Sequence, residues 1–341
     1  MISLLFLICP NRLLRTILKY RKSALIESIY RSKYEYHENK KAFLKRTMST
    51  TIVCVSNGTG GITDRLKSYT SVYDWSQRNN VYFKIYSKEP FDFNHFFLPA
   101  QYDWFFTDEE YKGAIKGKCC LHLCLYSSGK KGSNEWEEEQ KVLYKLCRTH
   151  RFSHIFIHRS AAYGHPEFGR LFRELFTMSP MLSNNVATHQ SALGERYFAV
   201  AFRFVNLLCD SVEDVSGIDP ISEEEQQRLM NRCLVELKEL MNRHPDKRFL
   251  LTTDSYRFIT FVDEQQIPNV HFLVGEKVHH HIGFVRSVAE NEVLKSLTEF
   301  VLISQAEQVF QIQIGPMYES KFPKWAASIN NVSYSIIREC L

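Results

Sequence analysis

Short apolar runs bounded by polar residues alternate along most of the chain with stretches whose apolar positions recur every three or four residues. That alternation predicts strands followed by helices. In the first half the runs Thr51–Ser56, Val81–Tyr86, Leu121–Tyr126 and Ser153–His158 read as strands. A helical pattern follows the first of them, with Leu66, Tyr69 and Tyr73 on one side, and another covers Phe168–Phe176, ending near Ser179-Pro180. The aromatic-rich stretch Phe91–Phe106 is expected to pack over this first sheet, Ser127–Gln140 to be a surface loop running into a helix, and residues 181–195 to be a connector with a helical turn. In the second half, Tyr197–Phe202 is a continuous apolar run, the mark of a strand buried on both faces. Ser222-Glu-Glu-Glu225 is a capping box opening a helix with Leu229, Cys233, Leu237, Leu240 and Met241 on one face and His244-Pro245 at its end. Strands are expected over Arg248–Thr253, Val270–Val274, Phe300–Ser304, Val309–Ile314 and Val332–Ile337, and helices over Glu290–Leu297 and Pro323–Ile329. The class is therefore α/β, with two Rossmann-like domains of parallel strands facing a cleft. The expected division is an extension over residues 1–48, a first domain over 49–185 and a second over 186–341.

Charge sharpens this division. The chain of 341 residues carries a formal net charge of +5, but residues 1–48 hold eleven Lys and Arg against three acids, leaving 32 Lys and Arg against 35 acids in the remainder. The near-neutral body argues against a nucleic-acid partner. Met1–Cys9 is apolar but falls far short of the ~20 residues that span a bilayer. Beyond Pro10, Leu13, Leu14, Ile17, Leu18, Leu25, Ile26 and Ile29 recur at helical spacing among basic residues, a pattern suited to peripheral contact with an anionic membrane surface. Met48, just ahead of the first strand, is an alternative start that would make residues 1–47 dispensable. Nine cysteines, an odd number without Cys-x-x-Cys, read as reduced thiols in a cytoplasmic compartment.

The candidate chemistry centres on Arg203, placed at the carboxyl end of the Tyr197–Phe202 strand. Ligands of open α/β sheets bind there, and a guanidinium offers a planar fork of donors to phosphate. Asn57-Gly-Thr-Gly-Gly61 forms a glycine-rich turn between a strand and a helix, where backbone can approach a ligand and the helix end attracts anions. It matches neither the G-x-G-x-x-G dinucleotide fingerprint nor a P-loop with its lysine. His279-His-His281 is a poor metal site because adjacent loop residues seldom point at one centre, and the histidines His154 and His158 at two strand ends read as core or surface residues. No Gly-x-Ser-x-Gly elbow supports a hydrolase.

Four pieces in order resemble the fucosyltransferase superfamily of alpha-1,2-, alpha-1,6- and protein O-fucosyltransferases and bacterial capsule enzymes. They are Gly60-Gly61-Ile-Thr-Asp64-Arg65-Leu66, Val-Ala-Phe-Arg203, Thr253-Asp254-Ser255, and the run from Thr298 through Ser304 to Tyr318-Glu-Ser320-Lys-Phe322. Together they cover about 51–337. The resemblance implies a GT-B-like fold, with the acceptor on the first domain and a GDP-sugar, GDP-fucose in the family's pattern, as donor substrate on the second; the alternatives are the same fold using another nucleotide sugar, or a catalytically silent relative that binds nucleotide or glycan. It implies no further cofactor and no metal, and a glycan or lipid-linked oligosaccharide as acceptor. Arg203 would neutralise the departing diphosphate, Ser320 and nearby backbone would bind the same phosphates, and Asp254 would accept a hydrogen bond from guanine or ribose. Ser304 and Phe322 fall in the donor-binding motif, with Tyr318 beside it. Gly58, Gly60, Gly61 and Arg65 form the turn that orients acceptor or diphosphate. Asp64 is the first candidate for the general base, and Glu195 the second. The sequence departs from the family at Ala201, where a histidine is usual two places before the arginine, at Asn206, where an acid is common, and at Glu299.

Overall fold

The computed structural model describes residues 49–56, 61–117, 120–124, 135–149, 152–158, 164–210, 218–274 and 289–339. In chain order the elements are β1 (Thr51–Val55), α1 (Ile62–Arg78), β2 (Tyr82–Tyr86), β3 (Phe97–Pro99), α2 (Asp108–Lys116), β4 (Cys120–Cys124), α3 (Glu135–Arg148), β5 (His154–His158), α4 (Phe168–Leu175), β6 (Phe176–Met178) and α5 (Pro180–Leu193). There follow β7 (Tyr197–Phe202), α6 (Glu223–Arg243), β8 (Arg248–Thr253), α7 (Tyr256–Glu264), β9 (Val270–His271), α8 (Glu290–Gln305), β10 (Gln308–Ile314), α9 (Phe322–Ser328) and β11 (Ser333–Glu339). These fall into two compact units. The smaller takes residues through Val55, then Val72–Tyr86 and Phe106–Tyr163, and the larger takes Ser56–Ser71, Ser87–Phe105 and Gly164–Leu341.

The smaller unit is built on a four-stranded sheet in the order β2-β1-β5-β4, every pair parallel. Val53, Val55 and Phe156 face Phe106 and Ala114, so α2 covers this side. The α2 helix is started by Thr107, whose hydroxyl accepts from Glu110 N while the Glu110 carboxylate accepts from Thr107 N. On the same sheet His122 Nδ1 and His158 Nε2 stand 2.6 Å apart, and the His122 ring stacks on Phe156 at 4.7 Å. Burial lowers the pKa of His122 to about 4 and, helped by the charge of His122, that of His158 to about 3.

The larger unit has a five-stranded parallel sheet in the order β11-β10-β7-β8-β9. All six residues of β7 are buried, as its unbroken apolar pattern requires. Its core joins Val200 and Phe202 to Leu229, Cys233 and Leu237 of α6, and to Phe249, Phe258 and Ile312. The Ser222–Glu225 capping box is present, with Ser222 Oγ accepting from Glu225 N and Glu225 Oε2 accepting from Ser222 N at 3.0 Å. A two-stranded antiparallel ribbon, β3 with β6, supports a second cluster in which Phe93, Phe97, Trp104, Phe172 and Phe176 meet edge to face or tilted. Trp104 Nε1 donates to Leu175 O at 2.6 Å, which satisfies the one polar atom the ring buries.

Four expectations change. Residues 181–195 are mostly the helix α5, begun by Ser179, whose hydroxyl accepts from Leu182 N, and by Pro180 in its first turn. Only Leu182, Val186 and Leu193 of that helix are buried, so its apolar period is faint, and the 185/186 boundary falls inside it. Phe300–Ser304 is not a strand but the end of α8, whose residues from Lys295 to Ser304 are all buried. A helix buried on every side has the same continuous apolar run as an interior strand. Val270–Val274 shrinks to the two residues of β9. Of Phe91–Phe106, Phe106 alone packs in the smaller unit's core, against Phe156 at 6.2 Å; the rest belongs to the larger unit.

Candidate functional site

β7 delivers Arg203 to the carboxyl end of the larger sheet, between β10 and β8. The neighbouring strand β8 runs directly into Asp254, whose side chain is 1% exposed. Asp254 Oδ1 accepts from Phe204 N at 2.8 Å, Oδ2 accepts from Val205 N at 2.7 Å, and Oδ2 lies 3.2 Å from Arg203 Nη1. One buried carboxylate thus fixes both the arginine and the backbone that follows it. The following loop is bent hard. Val205 and Cys209 adopt φ of 57° and 59°, a left-handed conformation that is an outlier for a β-branched residue. Further along, Asp210 Oδ2 accepts from Ser255 Oγ at 2.7 Å and from Arg257 N at 2.8 Å, while Ser255 Oγ caps α7 by accepting from Phe258 N at 2.9 Å. The Arg203 side chain keeps 20% exposure.

A second segment is brought to this arginine from far along the chain. Tyr318 N donates to Arg203 O at 3.1 Å, so the stretch leading from β10 into α9 lies against the end of β7. Tyr318 is 38% exposed, and Ser320 Oγ accepts from Phe322 N at 3.2 Å. Phe322 is part-buried and its ring packs on Phe300 at 5.1 Å, a packing contact.

The start of α1 carries the other expected group. Asp64 Oδ1 is 2.7 Å from Lys67 Nζ, with the Asp64 side chain 33% exposed and Lys67 only 9%. Lys67 also lies over the Trp325 ring, 5.7 Å from its centroid. Gly61 opens α1, its carbonyl accepting from Asp64 N and Arg65 N, and a Cβ placed on it would meet no atom within 4 Å.

No family model matches the chain, and no curated protein matches it in sequence. Solved structures do match in shape. An Arabidopsis thaliana FUT1 mutant in complex with GDP aligns at 14% identity over 96% of this chain and 79% of that one, with a TM-score of 0.53. The NodZ alpha-1,6-fucosyltransferase soaked with GDP-fucose aligns at 13% identity over 82% of this chain and 92% of its own, with a TM-score of 0.50. POFUT1 in complex with GDP-fucose aligns at 10% identity over 86% and 98%, with a TM-score of 0.51. The chain shares the fold of these fucosyltransferases. It is a GT-B-like α/β fold with parallel sheets in both units.

Tyr318 is brought against the backbone of Arg203 at one sheet end, with Ser320 two residues further along the chain; other expected site residues lie elsewhere. Arg65 is 1% exposed: its Nη1 donates to Ser56 Oγ and to Glu89 O at 3.0 Å, and its guanidinium lies over the Phe91 ring at 5.6 Å. Burial lowers its pKa, opposed by the charges of Tyr69 and Asp64. Its hydrogen bonds tie Ser56, at the end of β1, and the start of α1 to the segment at Glu89. Asp254 is likewise turned inward, its oxygens engaged by Phe204 N, Val205 N and Arg203. Ser304 is 3% exposed within α8, its hydroxyl donating to Val301 O at 2.6 Å. Glu195 precedes the amino end of β7, ~20 Å along the strand from Arg203, which removes it as a base for chemistry there. Gly58, Gly60 and His279-His-His281 lie outside the described residues. The sequence reading missed Lys67, although its i,i+3 spacing from Asp64 was visible, and Gln311, a polar residue inside a buried strand pattern.

Proposed function

We propose that this chain is an inverting glycosyltransferase that moves a sugar, fucose from GDP-fucose, onto a glycan hydroxyl in the synthesis of surface polysaccharide or lipid-linked oligosaccharide. The observation that carries this reading is the hydrogen bond from Tyr318 N to Arg203 O, which sets the Ser320 segment beside a part-exposed arginine at the carboxyl end of a parallel strand. The fold shared with fucosyltransferases solved with GDP or GDP-fucose supports it. In the reaction the bond from the anomeric carbon to the diphosphate oxygen breaks as the acceptor oxygen attacks from the opposite face. The electron pair leaves on GDP and the acceptor proton passes to a carboxylate. Arg203 would neutralise the growing charge on the diphosphate, a role a fixed guanidinium performs without a metal, and Ser320 with adjacent backbone N–H groups would add hydrogen bonds. Asp64 remains the carboxylate proposed as base, with Gly61 leaving open space beside it.

The Asp64–Lys67 ion pair favours a second reading, in which the chain binds nucleotide or glycan without transfer, because the carboxylate is already engaged. Peripheral contact with an anionic membrane through residues 1–48 rests on sequence alone; among the described residues no helix is long and apolar enough to cross a membrane. The test is protection of the protein by GDP against thermal unfolding, followed by mass detection of transfer from GDP-fucose with and without chelator. Arg203→Ala is expected to abolish GDP protection, and Asp64→Asn to keep protection but lose transfer. Full protection in Arg203→Ala would remove the reading; turnover in Asp64→Asn would remove Asp64 as base.

A further inference from the structure

We infer that Gln311 is a positioning residue for the diphosphate end of the nucleotide site, acting through the Tyr318–Ser320 segment; the inference rests on the donor site proposed above. Gln311 sits inside β10, between β7 and β11, and is 0% exposed. A primary amide at such a position costs free energy unless its hydrogen bonds are made. Here both ends are used. Its Nε2 donates to Tyr318 O at 3.1 Å, and its Oε1 accepts from the Tyr334 hydroxyl of β11 at 2.7 Å. Its register partner on β7 is Ala201, whose small side chain leaves room for the amide. Tyr318 is therefore held through both peptide groups, its carbonyl by Gln311 and its N–H by Arg203 O. Gln313, two residues on, repeats the device by donating to Met317 O at 2.8 Å. The buried amide, oriented by Tyr334, sets where the 318–320 backbone lies relative to Arg203. Loss of that setting affects contacts to the diphosphate and not those to the nucleoside.

The experiment compares GDP with GMP as probes, by calorimetry on the full chain well below its unfolding temperature. Gln311→Leu keeps the volume and removes both hydrogen bonds. It is expected to weaken GDP binding about tenfold while GMP affinity stays within about twofold. Tyr334→Phe, a milder change at a half-buried position, is expected to produce the same selective loss at about threefold, and the double variant to be no worse than Gln311→Leu, since both act through one chain of bonds. A general loss of structure would lower both affinities together, so an unchanged GDP-to-GMP ratio in folded variants overturns the inference. If Gln311→Leu does not fold, the ratio in Tyr334→Phe decides. Wild-type protein that binds no GDP overturns the donor site itself, whereas wild-type binding matched by Gln311→Leu overturns only the role of Gln311.

Discussion

Arg65 and Arg203 both sit in the larger unit beside motifs that look like ligand sites, yet their surroundings differ in kind. Arg65 is sealed from solvent and spends its donors on Ser56 and the Glu89 carbonyl. Arg203 has a fixed inner partner, Asp254, and keeps a part of its fork in reach of solvent. The first arrangement joins chain segments inside the unit. The second is what anion recognition needs: a cation whose position is settled before the anion arrives. Burial of the guanidinium, more than the motif around it, separates the two roles.

Substitution tests this contrast most severely. Arg65→Ala should cost about 3 kcal/mol or more by denaturant titration, because buried acceptors lose their donor and a large buried side chain is lost. Arg203→Ala should cost less, about 1–2 kcal/mol, because the buried Asp254 loses its cation but keeps two backbone donors, with the larger effect falling on GDP binding. Equal losses of stability would break the distinction. Asp254→Ala is the next largest. It strands Phe204 N and Val205 N in the interior and frees Val205 from its left-handed backbone, with an expected loss of ~2–3 kcal/mol together with loss of GDP protection. Protection that survives would show that Arg203 does not need its brace.

Acid approaches the same contrast from the other unit. His122 and His158 have folded pKa values of about 4 and about 3, below the ordinary 6.5, so between those values the unfolded chain binds protons that the folded chain does not. Their stabilising effect is complete above about pH 6.5 and is lost as pH falls toward their folded values, on the order of 2 kcal/mol for each histidine by about pH 5. His158→Phe should flatten this acid limb in unfolding curves, and an unaltered limb would refute the assignment. The smallest effect is expected at Cys209, where φ of 59° suits glycine. Cys209→Gly should stabilise by ~0.5–1 kcal/mol, measured by the unfolding midpoint, if the loop after Arg203 carries strain.

Much of the sheet pattern was legible because β7, β8 and β10 are apolar runs ended by polar residues, and α6 announces itself with Ser222 and Glu225. Arg203 was legible for the same reason: an arginine ending a wholly buried strand has one place to go. α8 was not, since burial on every side erases the helical period that identifies an amphipathic helix. α5 was faint because few of its residues are buried, although Ser179-Pro180 was a fair start signal. Asp254 and Arg65 were found as letters, but their burial was not legible, because inward and outward orientations leave the same trace in a motif. Gln311 needed the structure, since its partners Tyr318 and Tyr334 are set by register between strands.

The central position of β7 has a consequence for how the protein is made. Its neighbours are β8, encoded some way downstream, and β10, where Gln308 pairs with Phe198. While the ribosome is still working toward that segment, β7 has one flank open and six residues with no affinity for water. Nascent chains halted there would present a sticky, hydrogen-bond-hungry edge to one another, and the contact between Tyr318 and Arg203 cannot form until synthesis has passed Tyr318.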